Sequence, residues 1–468
     1  MDEPISEIFE KHRQRQLERV ARYLPIELER VAAPLEELWK IRDCRLRALL
    51  EHARRYSRWH AKRLESIEVS SLSGSDLSMI PAMTKTDLME NWNEIVCDPR
   101  LSLELASRHL ERIARDGPAY LLDEYQVVAT GGSSGRRAVV VLDFDGFALG
   151  LVALQRRALW LRLQSGEVGD LPVRVASLAS VNPVHLGGTL NACFSNPALV
   201  QMYPVAISRP ISEIVTSLNE IQPHLLAGYA SVLHELALEK QSGALAIEPR
   251  GINATGEPLL PEARARIEEA FGVQVINLWG STEGGYFAST YPGTEGLVIN
   301  EDTCLLEPVD EHNRPVVPGQ RAAKVLVTNL LNQVLPVIRY EITDEVTLLE
   351  PLPDGPWHGR RVADIQGRMD DAFRYSGGVF VHPHLFRSVL TQLVDVAEYQ
   401  VVQTAGGAEV AIVAGEAVDP RAAAKRLEDE LEAAGLTGAV VRVSRVDRLE
   451  RHPQSGKLKR FVPLSRAG

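Results

Sequence analysis

The stretch Val273-Gln274-Val275-Ile276-Asn277-Leu278-Trp279-Gly280-Ser281-Thr282-Glu283 decides the fold class of this chain. Its first six residues form an apolar run rich in β-branched side chains, which predicts a buried strand. A helical pattern over residues 261–271 precedes it. Such alternation is typical of an α/β fold with a largely parallel sheet, and ligands bind at the strand ends of these sheets. We therefore predict a ligand site at Gly280 to Glu283.

The same alternation extends upstream to about Val127. It predicts strands over 139–142, 173–178 and 224–227, and a helix over 211–221. Further upstream, apolar positions three and four apart through 46–53 predict amphipathic helices that pack on the main domain.

The pattern changes after about Gly367, where a compact α+β unit of about a hundred residues is predicted. Its predicted elements are strands over 399–402, 409–413 and 439–443 and a helix over 420–434. The chain is thus predicted to be an α/β protein with a large N-terminal domain, residues 1–369, and a small C-terminal lid, residues 370–468.

Composition restricts the partners of this 468-residue chain. Its 51 Lys and Arg against 62 Asp and Glu give a net charge of -11, which repels nucleic acid and anionic lipid. No apolar stretch of about 20 residues is present to span a bilayer, so we predict a cytoplasmic protein without a membrane partner. Its oligomeric state stays open. The four cysteines, Cys44, Cys97, Cys193 and Cys304, lie singly and are predicted to be buried thiols.

A Gly- and Ser-rich loop, Thr130-Gly131-Gly132-Ser133-Ser134-Gly135, lies between two apolar runs and is predicted to join two strands as a hairpin. Backbone amides at glycines and the hydroxyls of such a loop can approach phosphate oxygens, and Arg136 and Arg137 add positive charge. The spacing is neither that of a Walker loop nor that of a dinucleotide fingerprint. On its own, a Gly- and Ser-rich hairpin loop is more often only an ordinary turn.

The order and spacing of several motifs resemble the adenylate-forming superfamily, which includes acyl-CoA synthetases. Within it, the phenylacetate-CoA ligase-like branch fits best, and the resemblance runs from about Leu46 to Pro463. The matching segments are 46–53, 80–88, 130–135, 254–258, 279–283, 339–344, 367–371 and 455–460.

The resemblance implies a nucleotide site. The loop from Thr130 to Gly135 would bind phosphates, and Ala254-Thr255-Gly256-Glu257-Pro258 would lie against the adenine. In the motif Trp279-Gly280-Ser281-Thr282-Glu283, Thr282 would hydrogen-bond the α-phosphate and Glu283 would hold Mg²⁺. The alternative for Glu283 is a solvated carboxylate at a strand end.

The same resemblance assigns Asp344 to the ribose hydroxyls, because one carboxylate can accept from both of them. Arg368 would lie near the nucleotide, and Asp370 would be the hinge between the domains. Read without the resemblance, Asp344 is a turn aspartate and 367–371 is a charged turn, which is compatible with a hinge.

Lys457, in Ser455-Gly456-Lys457-Leu458-Lys459-Arg460, matches the catalytic lysine of the family. Its ammonium would reach both the attacking carboxylate and the α-phosphate and stabilise the charge of the transition state. Lys459 is the competing assignment, although the Gly-Lys spacing favours Lys457, and a basic run near a C-terminus is also typical of a solvated face. The implied reaction forms an acyl-adenylate from a carboxylic acid and Mg·ATP, after which coenzyme A displaces AMP.

The acid pocket is implied to lie near His185 and Tyr229. His185 departs from the aromatic residue expected for phenylacetate, so the resemblance predicts an aryl acid without fixing which one. This histidine either bonds a polar substituent of the acid or is a core histidine. The phosphate loop also departs from the family, with Gly131 for a serine and Arg136-Arg137 for Lys-Pro.

Two other functions stay open from the sequence. One is an adenylating enzyme that passes the acyl group to an amine or a carrier protein. The other is a catalytically silent nucleotide-binding protein, against which the joint presence of Lys457, Glu283 and Asp344 argues.

Overall fold

A computed structural model describes residues 5–130, 137–165, 171–194, 199–350, 358–363, 365, 372–390, 392–393, 396–449 and 460–464. The N-terminal part is helical. Its helices are α1 (Ile5–Glu29), α2 (Leu35–Tyr56), α3 (Arg58–Arg63), α4 (Lys85–Glu90), α5 (Trp92–Ile95) and α6 (Leu103–Asp116). Short 3₁₀ segments lie at Arg30–Ala32, Val69–Ser71, Leu77–Met79 and Ser376–Gly378.

The buried face of α2 confirms the predicted amphipathic helix. Its apolar residues form one cluster with Leu305, Leu330 and Ile338 of the main domain. Cys44 lies on the opposite face of α2 and is exposed, so its predicted burial was wrong, whereas the other three thiols are buried as expected. Arg42 and Leu46, two residues before and two residues after Cys44, both lie on the buried face of α2. Residues two apart on a helix point in different directions, so Cys44 faces solvent.

The large domain is built on one mixed sheet. Its strands and helices alternate as β1 (Gln126–Ala129), β2 (Val139–Leu142), α7 (Phe144–Ser165), β3 (Val173–Ala179), α8 (Leu186–Phe194), β4 (Val200–Ala206), α9 (Ile211–Ile221), β5 (Leu225–Gly228), α10 (Ala230–Gln241), β6 (Gly251–Thr255), α11 (Pro261–Phe271) and β7 (Val275–Ser281). The chain continues through β8 (Gly285–Tyr291), β9 (Thr294–Ile299), β10 (Cys304–Val309), β11 (Lys324–Asn329), β12 (Tyr340–Ile342) and β13 (Arg361–Val362).

The strand order of this sheet is β13-β9-β8-β7-β6-β5-β3-β4. From β4 to β7 all neighbours are parallel, which confirms the predicted parallel core, and from β7 to β13 they are antiparallel. The two strands β1 and β2 pair antiparallel with Ala129 opposite Val139, which confirms the predicted hairpin. A separate sheet has the order β10-β11-β12.

The C-terminal unit has its own apolar core. Its elements are β14 (Phe373–Arg374), β15 (Phe380–Val381), α12 (His384–Leu390), β16 (Val396–Thr404), β17 (Gly407–Ala414), α13 (Pro420–Ala433), β18 (Val440–Arg445) and β19 (Phe461–Val462). The sheet order is β18-β17-β16-β19, and the hairpin β14-β15 is separate from it. Phe373, Phe386, Tyr399 and Phe461 lie in one buried cluster. This arrangement confirms the predicted α+β unit.

A buried ionic cluster fixes the N-terminal helix to the large domain. The guanidinium of Arg156, on α7, donates to Asp302 and to Glu27 of α1 at 2.7 Å from each. Arg45 of α2 pairs with both carboxylates. Burial opposes ionisation of Asp302, but Arg156 and Arg45 outweigh it and hold the pKa of Asp302 at about 2. The cluster therefore joins α1, α2, α7 and the segment before β10, and three of its four charges, those of Glu27, Arg156 and Asp302, have almost no access to water.

Candidate functional site

Residues predicted to bind ligand lie at one edge of the parallel sheet. Tyr229 directly follows β5, Gly256 directly follows β6, and β7 ends at Ser281. His185 comes six residues after the end of β3. Because β3, β5, β6 and β7 are parallel neighbours, their carboxyl ends form one edge, which is where such sheets bind ligands.

The turn that carries Glu283 is a tight connection between β7 and β8. Ser281 pairs with Gly285, so Thr282, Glu283 and Gly284 form its tip. The Gly284 amide donates to Ser281 Oγ at 2.9 Å. A Cβ on Gly280 would lie 2.6 Å from the carbonyl oxygen of Gly285, so glycine is required there. The local backbone thus explains the glycine of the motif without reference to a ligand.

Glu283 is buried, with 5% of the residue exposed, and is held by two partners. Tyr340 donates its hydroxyl to Oε1 at 3.0 Å, and Lys85 Nζ lies 3.2 Å from the same oxygen. The pKa of Tyr340 is raised by burial and by the neighbouring Glu283 carboxylate. Glu283 is therefore not the solvated strand-end carboxylate that the sequence left as an alternative.

Local structure brings Lys85 and Tyr340 to this carboxylate. Thr84 caps α4 through a capping box with Asp87, which places Lys85 in the first turn. The chain before the cap pairs with β12, because Met83 donates to the Arg339 carbonyl at 2.9 Å and accepts from Glu341 at 2.8 Å. Two segments far apart in sequence therefore converge on Glu283.

Lys85 also reaches the base of the Gly- and Ser-rich loop. Its ammonium donates to Thr130 Oγ1 at 3.2 Å. Thr130 is fixed in turn by Ala138, whose amide donates to Oγ1 at 2.9 Å and whose carbonyl accepts from the Thr130 amide at 3.0 Å. A single cation thus links the start of the predicted phosphate loop with the predicted magnesium ligand.

Trp279 and Asp344 form a second contact of predicted site residues. The indole Nε1 donates to Asp344 Oδ2 at 2.8 Å. Burial raises the pKa of Asp344, the Trp279 bond opposes this, and the Glu283 carboxylate raises it further. The two carboxylates are therefore close enough to interact electrostatically, in a place where added negative charge is unfavourable.

The turn after β6 holds Gly256 and Glu257. Gly256 has φ of +76°, and a Cβ there would lie 2.6 Å from Tyr229 Cε1. Glu257 accepts from the Ser231 amide at 3.1 Å and from its hydroxyl at 2.7 Å. His382 of the C-terminal unit donates Nε2 to the same carboxylate at 2.5 Å. Tyr229, predicted to line the acid pocket, packs between this turn and the C-terminal unit.

His185 is buried and bonded to the backbone. Its Nδ1 donates to the carbonyl of Ala129 at 3.3 Å. Burial lowers its pKa, the bond to Ala129 opposes this and the nearby Arg137 adds to it. The resulting pKa of about 4 leaves the imidazole neutral at neutral pH. This contact favours the core-histidine alternative, although it leaves Nε2 outside the bond to Ala129.

Several predicted residues lie outside the described ranges. They are Gly131, Gly132, Ser133, Ser134, Gly135, Arg368, Asp370 and Lys457, together with the competitor Lys459. Their assignments stay predictions from the resemblance.

Comparison with known proteins extends over most of the chain. Phenylacetate-coenzyme A ligase from Aromatoleum evansii is 25% identical over 352 residues, which are 73% of this chain and 70% of that protein. The enzyme of the same name from Escherichia coli (strain K12) is 26% identical over 353 residues, 72% of this chain and 73% of that protein. Over most of its length, the chain is therefore similar to phenylacetate-CoA ligases of the adenylate-forming superfamily. Protein CapK from Staphylococcus aureus is 22% identical over 389 residues, 79% of this chain and 78% of that protein.

Solved structures share the fold of this chain. A 2-hydroxyisobutyryl-CoA ligase in complex with 2-HIB-AMP and CoA, in the thioesterification state, has a TM-score of 0.61 at 20% identity and covers 93% of this chain and 91% of its own. An open conformation of that enzyme gives 0.57 at 20% identity and covers 93% of each chain. No family model matches the chain. In the described ranges, no helix is both long and apolar enough to cross a bilayer.

Sequence reasoning assigned no role to Lys85, Tyr340 or His382. Lys85 and Tyr340 lie inside segments that carry the resemblance to the adenylate-forming family. Their charged and hydroxyl side chains in those segments were the signal that could have pointed to them. No signal in the sequence pointed to His382, because its partner Glu257 is 125 residues away and belongs to the large domain.

The site is compatible with the Mg²⁺ that the adenylate-forming family implies. Among the residues whose placement is described, no group of three or more His, Cys, Asp or Glu side chains is arranged to hold a metal. Magnesium in nucleotide sites needs only one or two carboxylates, because substrate phosphates and waters supply the other ligands. Lys85 and Tyr340 both contact Oε1 of Glu283, so neither contact occupies Oε2. The Glu283 carboxylate therefore fits the role of a protein ligand to Mg²⁺.

Proposed function

We propose that this protein activates a carboxylic acid with ATP to an acyl-adenylate and then transfers the acyl group to coenzyme A. One observation carries the proposal: at the carboxyl edge of the parallel sheet, the Lys85 ammonium lies 3.2 Å from Glu283 Oε1 and 3.2 Å from Thr130 Oγ1. A carboxylate and a cation held together beside a phosphate-loop base suit Mg·ATP, and a silent core site has no need of both.

In the first step, a carboxylate oxygen of the acid attacks the α-phosphorus and the bond to pyrophosphate breaks. Thr282, at the tip of the β7-β8 turn, donates to the α-phosphate. Lys85 places positive charge between Glu283 and the loop, where the departing pyrophosphate gathers negative charge. Glu283 would hold Mg²⁺, which neutralises phosphate charge when bound.

The nucleoside is held by the residues around β6 and β7. Asp344, oriented by Trp279, accepts from the ribose hydroxyls, and Gly256 and Glu257 form the turn against the adenine. The close packing of Gly256 on Tyr229 supports this assignment, because it fixes the backbone of the turn. Arg368 completes the nucleotide site in this proposal.

Lys457 acts from the small domain, residues 370–468, which turns about Asp370 relative to residues 1–369. Its ammonium stabilises the charge that develops between the acid and the α-phosphate. The separate apolar core of the C-terminal unit supports a body that moves as one. Once the adenylate has formed, the thiol sulfur of coenzyme A attacks the acyl carbon and the bond to AMP breaks.

The acid proposed is an aryl acid, with Tyr229 and His185 near its pocket. Because His185 is neutral at neutral pH and bonds Ala129 through Nδ1, a polar substituent of the acid would have to meet Nε2. Replacement of His185 with phenylalanine would then discriminate between acids that carry such a substituent and acids that lack it.

Lys85→Met is expected to lower kcat/KM for ATP about 10- to 100-fold, because it removes a cation from the phosphates and leaves the Glu283 carboxylate without its charged partner. Steady-state kinetics at varied ATP concentration measure the effect. Lys62→Met, which removes an exposed lysine, is the matched control and should stay at wild-type values. Equal kinetics for both variants would remove Lys85 from the site.

Trp279→Phe is expected to move the acid limb of the pH profile of kcat/KM for ATP to higher pH. The indole bond lowers the pKa of Asp344, so its loss raises a pKa that burial has already raised. Asp344 must be ionised to accept from two ribose hydroxyls, and it would then lose its charge at a higher pH. A profile with an unmoved acid limb would show that Asp344 does not hold the nucleotide.

The acceptor is tested by product analysis. Purified protein with ATP, Mg²⁺, coenzyme A and a panel of aryl acids should yield an acyl-CoA and AMP by mass spectrometry. Turnover with an amine and none with coenzyme A would show that the acceptor is a nitrogen and not a thiol. The proposed adenylation step would be unaffected by that result.

A further inference from the structure

The hairpin β14-β15 joins the small domain to the large one through alternate side chains. Phe373 and Val381 point into the apolar core of the small domain. Phe380 instead packs in the cluster of the large domain that contains Leu226 and Ile252. Since neighbouring residues of a strand face opposite sides, two short strands can contact both cores at once.

Two polar contacts to carboxylates flank this apolar contact, and they differ in burial. Arg374 donates Nη1 to Glu235 of α10 at 2.8 Å, but its side chain is 45% exposed. His382, directly after β15, is 2% exposed and donates to Glu257 at 2.5 Å. Removing one partner of a buried hydrogen bond to a charged group costs far more free energy than removing one partner of an exposed pair.

The His382 contact continues to the turn that is proposed to bind adenine. The His382 and Tyr229 rings are stacked, with centroids 4.7 Å apart and 17° between their planes. Tyr229 in turn lies against Gly256. Glu257, the next residue, is held by Ser231 on one side and His382 on the other. The turn is therefore held from the large domain on one side and from the small domain on the other.

Burial opposes ionisation of Glu257, but His382 and Ser231 outweigh it and hold its pKa at about 2. The carboxylate is thus charged in the docked arrangement. Removal of the imidazole would leave this charge with Ser231 as its remaining described partner.

We propose that His382 is a positioning residue that docks the small domain on the Gly256 turn and thereby couples docking to nucleotide binding. The docking rests on the contacts described above, whereas the coupling also rests on the proposed function. By linkage, a docked domain that orders the turn binds nucleotide more tightly, and bound nucleotide favours docking to the same degree.

The test is single-molecule energy transfer between dyes on the two domains. Cys44 is exposed and accepts one dye, and Ala422→Cys on the exposed face of α13 accepts the other. His382→Phe keeps a stacked ring but loses the bond, and it should lower the ratio of docked to undocked protein about 30-fold without ligand. Arg374→Met is the matched control and should lower it about threefold or less.

The same variants report on coupling through AMP affinity, measured by titration calorimetry. His382→Phe should weaken AMP binding about fivefold or more, and AMP should raise the docked fraction of the wild type. His382→Gln, which keeps an N–H donor, should recover part of both effects and guards against a misfolded phenylalanine variant.

A wild-type ratio of docked to undocked protein in both His382 variants would overturn the docking role of His382. Lost docking with unchanged AMP affinity would overturn the coupling. If wild-type protein binds neither ATP nor AMP, the proposed function fails, and the energy-transfer arms still decide whether His382 docks the domain.

Discussion

Glu283→Gln is expected to lower the rate of adenylate formation about 100- to 1,000-fold, the loss typical of one preorganised electrostatic group. The amide is a poorer Mg²⁺ ligand and cannot pair with Lys85, whose ammonium would lose the carboxylate 3.2 Å away. The measurement is the acid-dependent exchange of pyrophosphate into ATP at saturating substrates.

Glu341→Gln is the matched control for this prediction. Glu341 follows Tyr340 on β12 but turns to the other side of the strand, where it accepts from Lys324 at 2.6 Å. The same chemical change there should alter exchange less than about threefold, because it disturbs only the partly buried pair with Lys324 on the other side of the strand. Comparable losses in both variants would mean that Glu283 matters for folding and not for the reaction.

Asp302→Asn is expected to reduce the free energy of unfolding by about 3 to 5 kcal/mol, because it leaves the buried charge of Arg156 without one of its carboxylates. Chemical denaturation followed by fluorescence measures this loss. Glu213→Gln, which breaks an exposed pair with Arg209, should cost less than about 1 kcal/mol. Equal destabilisation of the two variants would contradict the anchoring role of the cluster.

The same aspartate predicts an acid dependence of stability. The pKa of Asp302 is about 2 in the folded protein, below the value of about 4 for an unperturbed aspartate. Its contribution is therefore complete above about pH 4 and is lost as the pH falls toward 2, since the unfolded chain binds the proton first. In Asp302→Asn, the free energy of unfolding should fall less steeply across this range.

Local pattern was enough to predict the elements of the parallel core. The helix over 261–271 and the strand that follows it are both present, although the strand begins two residues later and continues to Ser281. Apolar periodicity and strand propensity are properties of neighbouring residues, so they can be read without the fold. The end of β7 extends because it pairs with β8 across the turn, which is a tertiary contact.

The side chains that contact Glu283 and Glu257 could not be predicted from the pattern of neighbouring residues. Lys85 reaches Glu283 only because α4 is capped beside β12, and His382 reaches Glu257 only because the small domain is docked. Pairings between residues this far apart depend on the assembled fold. Cys44 was misassigned for a related reason, since burial on a helix depends on which face meets its neighbour.

The most direct test of the proposed reaction is acid-dependent ATP-pyrophosphate exchange over a panel of aryl and short alkyl carboxylic acids, with Lys457→Ala alongside. We predict exchange with at least one acid and a loss of about 100-fold or more in the variant. Measurable ATP binding without exchange for any acid would contradict the account and favour a silent nucleotide-binding protein.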